Sequence, residues 1–82
     1  MLKEHEFQIP SIYVPAKRTK TLDRDKVDQI AESILELGQT TPIQVRADGD
    51  RFVLIEGLHR LEAMKALGEE TVRGYLVQAR QR

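Results

Sequence analysis

The stretch IEGLHRLEAMKALGEE, Ile55 to Glu70, decides how the chain is read. It ends the apolar run RFVLIE at a single glycine and passes at once to helical spacing. Leu61, Met64 and Leu67 fall on one side with Ala63 and Ala66 nearby, and Gly68 closes the pattern, which predicts a short helix entered through Gly57. Four successive apolar residues before that glycine predict a strand covered on both faces and central in its sheet. His59 and Arg60 then stand in the first helical turn.

Upstream, Ile43 and Val45 alternate with Gln44 and Arg46, and Asp48-Gly49 is a strong hairpin signal, so two antiparallel strands precede the glycine. Before them, DRDKVDQIAESILELG reads as a helix. Asp23 is its N-cap, Asp25 suits its first turn and Gly38 its end. Val27, Ile30, Ala31, Ile34 and Leu35 recur at helical spacing and form the stripe expected to face the core. FQIPSIYVP, Phe7 to Pro15, carries β-branched and aromatic residues but two prolines, which predicts one edge strand or extended entry segment. AKRTKTL after it reads as a basic loop. Downstream, Thr71 to Val77 predicts a last strand, followed by the polar tail ARQR. The order β-α-β-β-α-β gives an α+β class, a small mixed sheet with helices packed on it.

With 82 residues the expectation is one domain over 1–82, with its core at about 7–78. Charged residues at 32% against 40% apolar ones suit a soluble globular chain, and 5% aromatics require an aliphatic core. The chain has no cysteine, which removes disulfides, thiolate metal sites and thiol chemistry. His5 and His59 lie far apart and outside any metal-binding pattern, so no metal site is expected. The charged N-terminal stretch lacks the apolar run of a secretion signal, which leads to a cytoplasmic expectation. Thirteen basic residues balance thirteen acidic ones, so a nucleic acid would need a local patch.

A helix N-terminus offers amide hydrogens without intrahelical partners, and its dipole adds partial positive charge. Gly57 allows close backbone approach there, and His59 and Arg60 add charge-assisted donors, a combination suited to phosphate. A turn glycine followed by two solvated side chains would give the same letters. Cations nevertheless cost stability at that end of a helix unless an anion joins them. On the longer helix Lys26, Gln29, Ser33 and Glu36 form a polar stripe, which is either a solvated face or a wall that a ligand touches.

GLHRLEAMKALG, preceded by TPIQVR and an apolar strand, resembles the superfamily that joins sulfiredoxins with the N-terminal domains of ParB partition proteins. The sulfiredoxin branch is nearer, since its Gly-Cys-His-Arg signature is matched by Gly57, Leu58, His59 and Arg60, where ParB proteins show Gly-Glu-Arg-Arg. LDRDKVDQIAESI and EETVRGYLVQ are similar to the first helix and closing strand of that branch, so the likeness runs from about Ile12 to Gln78. It implies nucleotide binding, with phosphates at Gly57, Leu58, His59 and Arg60. Lys26 and Ser33 would contact the nucleotide, and Lys17, Arg18 or Lys20 could add a basic contact. Gln29 departs from the serine found in the family, which bears on base or ribose recognition. The decisive departure is Leu58 in the place of the catalytic cysteine, so sulfinic-acid reduction is not expected.

The resemblance thus implies a module that binds a nucleoside triphosphate, ATP or CTP, together with Mg²⁺. Some members resemble small-molecule kinases with a carboxylate base, a role for which Glu56 is the candidate in a phosphotransferase or NTPase reading. ParB proteins also bind DNA through a following helix-turn-helix domain. With none following here, DNA binding would rest on the KRTK segment with Arg73, Arg80 and Arg82. A protein partner is the remaining alternative; no membrane partner is expected.

Overall fold

The computed structural model describes residues 3–78, and the tail with Arg80 and Arg82 lies outside them. The chain runs as β1 (Glu4–Gln8), a 3-10 turn (Ile9–Ser11), β2 (Ile12–Tyr13), α1 (Ala16–Thr19), α2 (Arg24–Leu37), β3 (Ile43–Asp48), β4 (Arg51–Glu56), α3 (Leu58–Ala66) and β5 (Thr71–Leu76). The strands form one mixed sheet in the order β1-β5-β3-β4-β2. β3 pairs antiparallel with β4 and parallel with β5, while β1 closes one edge against β5 and β2 the other against β4.

Three expectations need correction. The predicted single edge strand is two strands, because Pro10 supports a turn at Ile9–Ser11 that sends the halves to opposite edges. The predicted basic loop contains α1, which begins after Pro15 and carries Lys17 and Arg18, with Lys20 at its end. The central strand is β3 rather than β4, since β2 adds only a two-residue partner beyond β4. Ile43 and Val45, both 0% exposed, take the place expected of the RFVLIE run.

The path of the N-terminal segment shapes the whole sheet. Strands spaced about 4.8 Å apart would hold β1 and β2 about 19 Å from each other if the sheet were flat. The three-residue turn that joins them advances only about 6 Å, so the sheet must curl. Phe7 on β1 and Phe52 on β4 meet edge to face at 4.9 Å between ring centroids, although β5 and β3 lie between their strands. Register fixes the concave face: Phe7 pairs with Val72, Gly74 with Ile43, and Val45 with Leu54. Leu58, Leu61 and Met64 of α3 join this buried cluster and cover one end of the curl. At Gly74 an added Cβ would lie 2.8 Å from Ile43 Cγ1 and 3.3 Å from Phe7 Cδ2, so the absent side chain lets both fill the centre.

Asp23 caps α2 as expected, accepting from the amides of Asp25 at 3.0 Å and Lys26 at 3.5 Å. Of the predicted stripe, Val27 is buried and Ile34 packs on the core, but Leu35 is 73% exposed. The fourteen residues of α2 outreach the nine of α3, and Leu35 and Leu37 sit on the overhanging last turn. Ala66 at the end of α3 is likewise exposed, contrary to its expected place beside the core stripe.

Gln39 performs a task that no sequence pattern announced. Its side-chain amide accepts from the Arg73 N–H at 2.8 Å and donates to the Arg73 carbonyl at 2.8 Å. β3 begins its pairing with β5 at Gly74, so the Gln39 side chain continues the ladder by one residue. Gln39→Ala is expected to cost about 1–2 kcal/mol by leaving both backbone groups unpaired. That loss would lower the thermal midpoint by several degrees in a domain of this size; an unchanged melting curve would refute the assignment.

Candidate functional site

The pairing of β3 with β4 slips immediately before the site. Gln44 faces Glu56 but Val45 faces Leu54, so Ile55 is an extra residue, a bulge of the kind often found next to functional sites. The bulge turns Gly57 onto the concave side, directly over Ile43. Gly57 has φ 107 and ψ 32, and a Cβ there would lie 2.7 Å from Ile43 Cγ2. Glycine is therefore needed for a left-handed turn and for packing, a double reason that the sequence did not reveal.

α3 starts at Leu58 with no side-chain cap and no acidic residue in its first turn. α2, by contrast, spends the Asp23 carboxylate on its own amides. The two helix starts meet, because the Asp23 N–H donates to His59 Nε2 at 3.0 Å. That ring nitrogen is an acceptor in this arrangement, which leaves Nδ1 as the imidazole's donor. His59 is thus a strut between two helix N-termini, a role hidden in the sequence by the 36 residues separating it from Asp23. His59→Ala is expected to lose about 1 kcal/mol and to speed hydrogen exchange at the Asp23 amide. His59→Gln, whose carbonyl reaches a similar position, should preserve both; equal exchange in all three proteins would contradict the strut.

Arg60 is half-buried, and among the described residues its side chain makes no hydrogen bond or ion pair. The ion pairs there are Arg51–Asp48, Lys65–Glu62 and Arg73–Glu4. Glu56 is exposed, shares the convex face with Gln44 and does not pair with Arg60. Leu58 is 6% exposed and buries its side chain in the core. Only its backbone faces the question of binding.

Of the remaining predicted residues, Lys26 lies one turn into α2, bonded through its amide to Asp23. Gln29 and Ser33 continue along the exposed α2 surface away from that end. Lys17 and Lys20 are exposed and Arg18 half-buried on the segment leading into Asp23. The structure therefore gathers Gly57 to Arg60 with Asp23 and Lys26 at adjoining helix starts. Two hollows, of about 320 Å³ and 420 Å³, lie elsewhere, along the sheet around Leu76. Neither hollow is lined by Gly57 to Arg60. Among the described residues no group of three or more His, Cys, Asp or Glu side chains is placed to hold a metal ion. No helix there is long and apolar enough to cross a membrane.

The model of the ParB N-terminal domain family matches residues 4–82. The chain belongs to this family. This ParB N-terminal domain is 37% identical over 62 residues to the probable chromosome-partitioning protein ParB of Campylobacter jejuni, matching 76% of the chain and 22% of that protein. It is 34% identical over 68 residues to the chloroplastic/mitochondrial sulfiredoxin of Arabidopsis thaliana, matching 83% of the chain and 54% of that protein. The chain thus spans about a fifth of one curated relative and about half of the other. The crystal structure of the Arabidopsis sulfiredoxin superposes with a TM-score of 0.84 at 30% identity, over 94% of this chain and 86% of that one. A truncated ParB from Caulobacter crescentus, complexed with CTP-γ-S, gives a TM-score of 0.82 at 20% identity over 96% and 46% of the two chains. A free serine kinase in complex with ADP gives 0.79 at 15% over 92% and 31%, a likeness of fold.

Proposed function

We propose that this ParB N-terminal domain binds a nucleoside triphosphate, its phosphates held at the first turn of α3. The observation that carries the reading is a half-buried Arg60, without a carboxylate partner among the described residues, at a helix start that no side chain caps. Both features cost stability in isolation and are relieved by one anion. In this reading Arg60 forks onto phosphate oxygens, and the amides of Leu58, His59 and Arg60 donate to them. His59 holds the start of α2 in place with Nε2 and can offer Nδ1–H to the ligand. Lys26 adds charge, Gln29 and Ser33 line the wall, and Lys17, Arg18 and Lys20 supply basic contacts from the approach to α2. Nucleotides in the fold relatives, CTP-γ-S on ParB and ADP on the serine kinase, support the class of ligand. Mg²⁺ would arrive on the phosphate oxygens it already coordinates.

The reading stops at binding. The cysteine-free sequence offers no thiol for sulfinic-acid reduction, and among the described residues the exposed Glu56 carboxylate makes no ion pair. Titration of the protein with ATP, CTP, GTP and ADP, followed by amide chemical shifts, tests the proposal. Movement should concentrate at Gly57 to Arg60 and at Asp23 to Lys26, with the preferred base revealed by the order of affinities. Unmoved amides in that region at millimolar nucleotide would remove the proposal. A shift pattern centred on Lys17 and Arg18 with DNA, steeply weakened by salt, would transfer the site to nucleic acid.

A further inference from the structure

The curl leaves a second feature that nucleotide binding does not use. β1 is an edge strand paired only with β5, and the sheet closes on itself without joining β1 to β2. The Ile9 N–H donates to the Glu70 carbonyl at 3.0 Å, so residues 9, 7 and 5 direct their backbone groups toward β5. By alternation the N–H and C=O groups of Glu4 and Glu6 and the N–H of Gln8 face the open seam, while the Gln8 carbonyl opens the 3-10 turn as its N-cap. Among the described residues no hydrogen bond occupies them beyond β1.

Along this edge lies the hollow of about 320 Å³, floored by Phe7, Phe52 and Leu76 and bordered by His5, Gln8 and Ser11. Leu76 is 42% exposed, one of four large apolar residues so exposed among the described residues, and it also lines the neighbouring hollow with Ala47 and Val77. The opposite end of the curl is sealed by Leu58, Leu61 and Met64, whereas none of the described helices contributes a residue to this hollow. Unpaired backbone along an edge, next to an apolar hollow on the concave face, is the geometry that accepts an added strand.

Charge selects the occupant. Side chains of Glu4 and Glu6 stand on the convex face of β1, and Glu6 makes no ion pair among the described residues. A second copy pairing antiparallel through β1 about Glu6 would set Glu6 against Glu6, a repulsive juxtaposition. A strand that places apolar side chains in the hollow presents its alternate side chains beside the Glu6 carboxylate, Glu4 being paired with Arg73. We propose that β1 is a docking edge for an extended segment of a partner protein in which large apolar residues alternate with lysine or arginine. Main-chain bonds to Glu6 and Gln8 hold the segment, an apolar side chain fills the space among Phe7, Phe52 and Leu76, and basic neighbours meet Glu6.

The test uses the 82-residue chain with a synthetic heptapeptide alternating lysine and isoleucine, one with glutamate for lysine, and one with proline at its centre. The lysine peptide should shift and protect from exchange the amides of Glu6 and Gln8 and shift the Leu76 methyls. The glutamate and proline peptides should bind at least tenfold more weakly. Glu6→Lys should reverse the preference between the two charged peptides, and Leu76→Lys, at an exposed position, should abolish binding while leaving the fold intact. Equal binding of all three peptides, or silence at Glu6 and Gln8, would overturn the proposal. So would concentration-dependent shifts of these amides without peptide, which would assign the edge to a second copy. Nucleotide-dependent shifts at Gly57 to Arg60 are independent of every outcome.

Discussion

Gly57→Ala is expected to destabilise the folded protein by about 2–6 kcal/mol, combining the strain of a left-handed backbone with forced overpacking. The contact that must give is Ile43, whose Cγ2 would lie 2.7 Å and whose Cβ 3.0 Å from the new methyl carbon. Neither atom is the end of a flexible side chain, and Ile43 is 0% exposed at the centre of the sheet, so the relief must come from the backbone. Small domains are stable by only about 5–15 kcal/mol, which makes this loss a large share of the total. Urea unfolding of the two proteins measures it. Gly57→Asn separates the causes, because asparagine tolerates positive φ better than alanine but keeps the Cβ. If the contact with Ile43 dominates, both variants fall together; recovery with asparagine would assign the cost to φ. An unfolding midpoint unchanged in both variants would show that Gly57 does not sit against Ile43 as described.

Arg60→Ala is expected to weaken nucleotide binding by ten-fold or more, the equivalent of about 1.5–3 kcal/mol for a charge-assisted contact. The same substitution should leave the nucleotide-free protein as stable as before, or more stable by about 0.3–1 kcal/mol. It removes a cation from the positive end of a helix, where the dipole opposes it. Opposite signs for affinity and stability distinguish a ligand-holding arginine from a structural one. Arg60→Lys should fall between, since it keeps the charge but loses the planar fork. Paired calorimetric titrations and thermal melts give both quantities; a destabilised protein with undiminished affinity would make Arg60 a structural residue and return the site to doubt.

Much of the architecture was written in local chemistry. The Asp23 cap, the Asp48-Gly49 turn, the breaks at Gly38 and Gly68 and the alternation of Ile43 and Val45 all act through neighbouring residues, and each stands in the structure where expected. What escaped depends on partners remote in sequence. Nothing near Phe7 shows that its ring will meet Phe52, and without that contact the division of the first segment into two opposite edges is invisible. β4 has the letters of a central strand, but its outer partner is only two residues long, a matter of topology rather than composition. Leu35 fits the helical period and is nevertheless exposed, because its burial depends on the length of α3. At the site, the glycine, the histidine and the arginine were legible, whereas the Asp23–His59 bond and the Ile43 contact arise only from folding. His59 thereby gains a second duty that its place in the motif did not show.

The register of β1 carries a consequence for how the chain is made. Glu4 lies opposite Tyr75, so the first strand has its sole partner in the last one. On a ribosome the hairpin and α3 can emerge and assemble early, but β1 must wait, unpaired, until β5 has left the exit tunnel. Completion of the domain therefore waits for β5, and a nascent chain ending before Thr71 would offer its amino-terminal strand to chaperones.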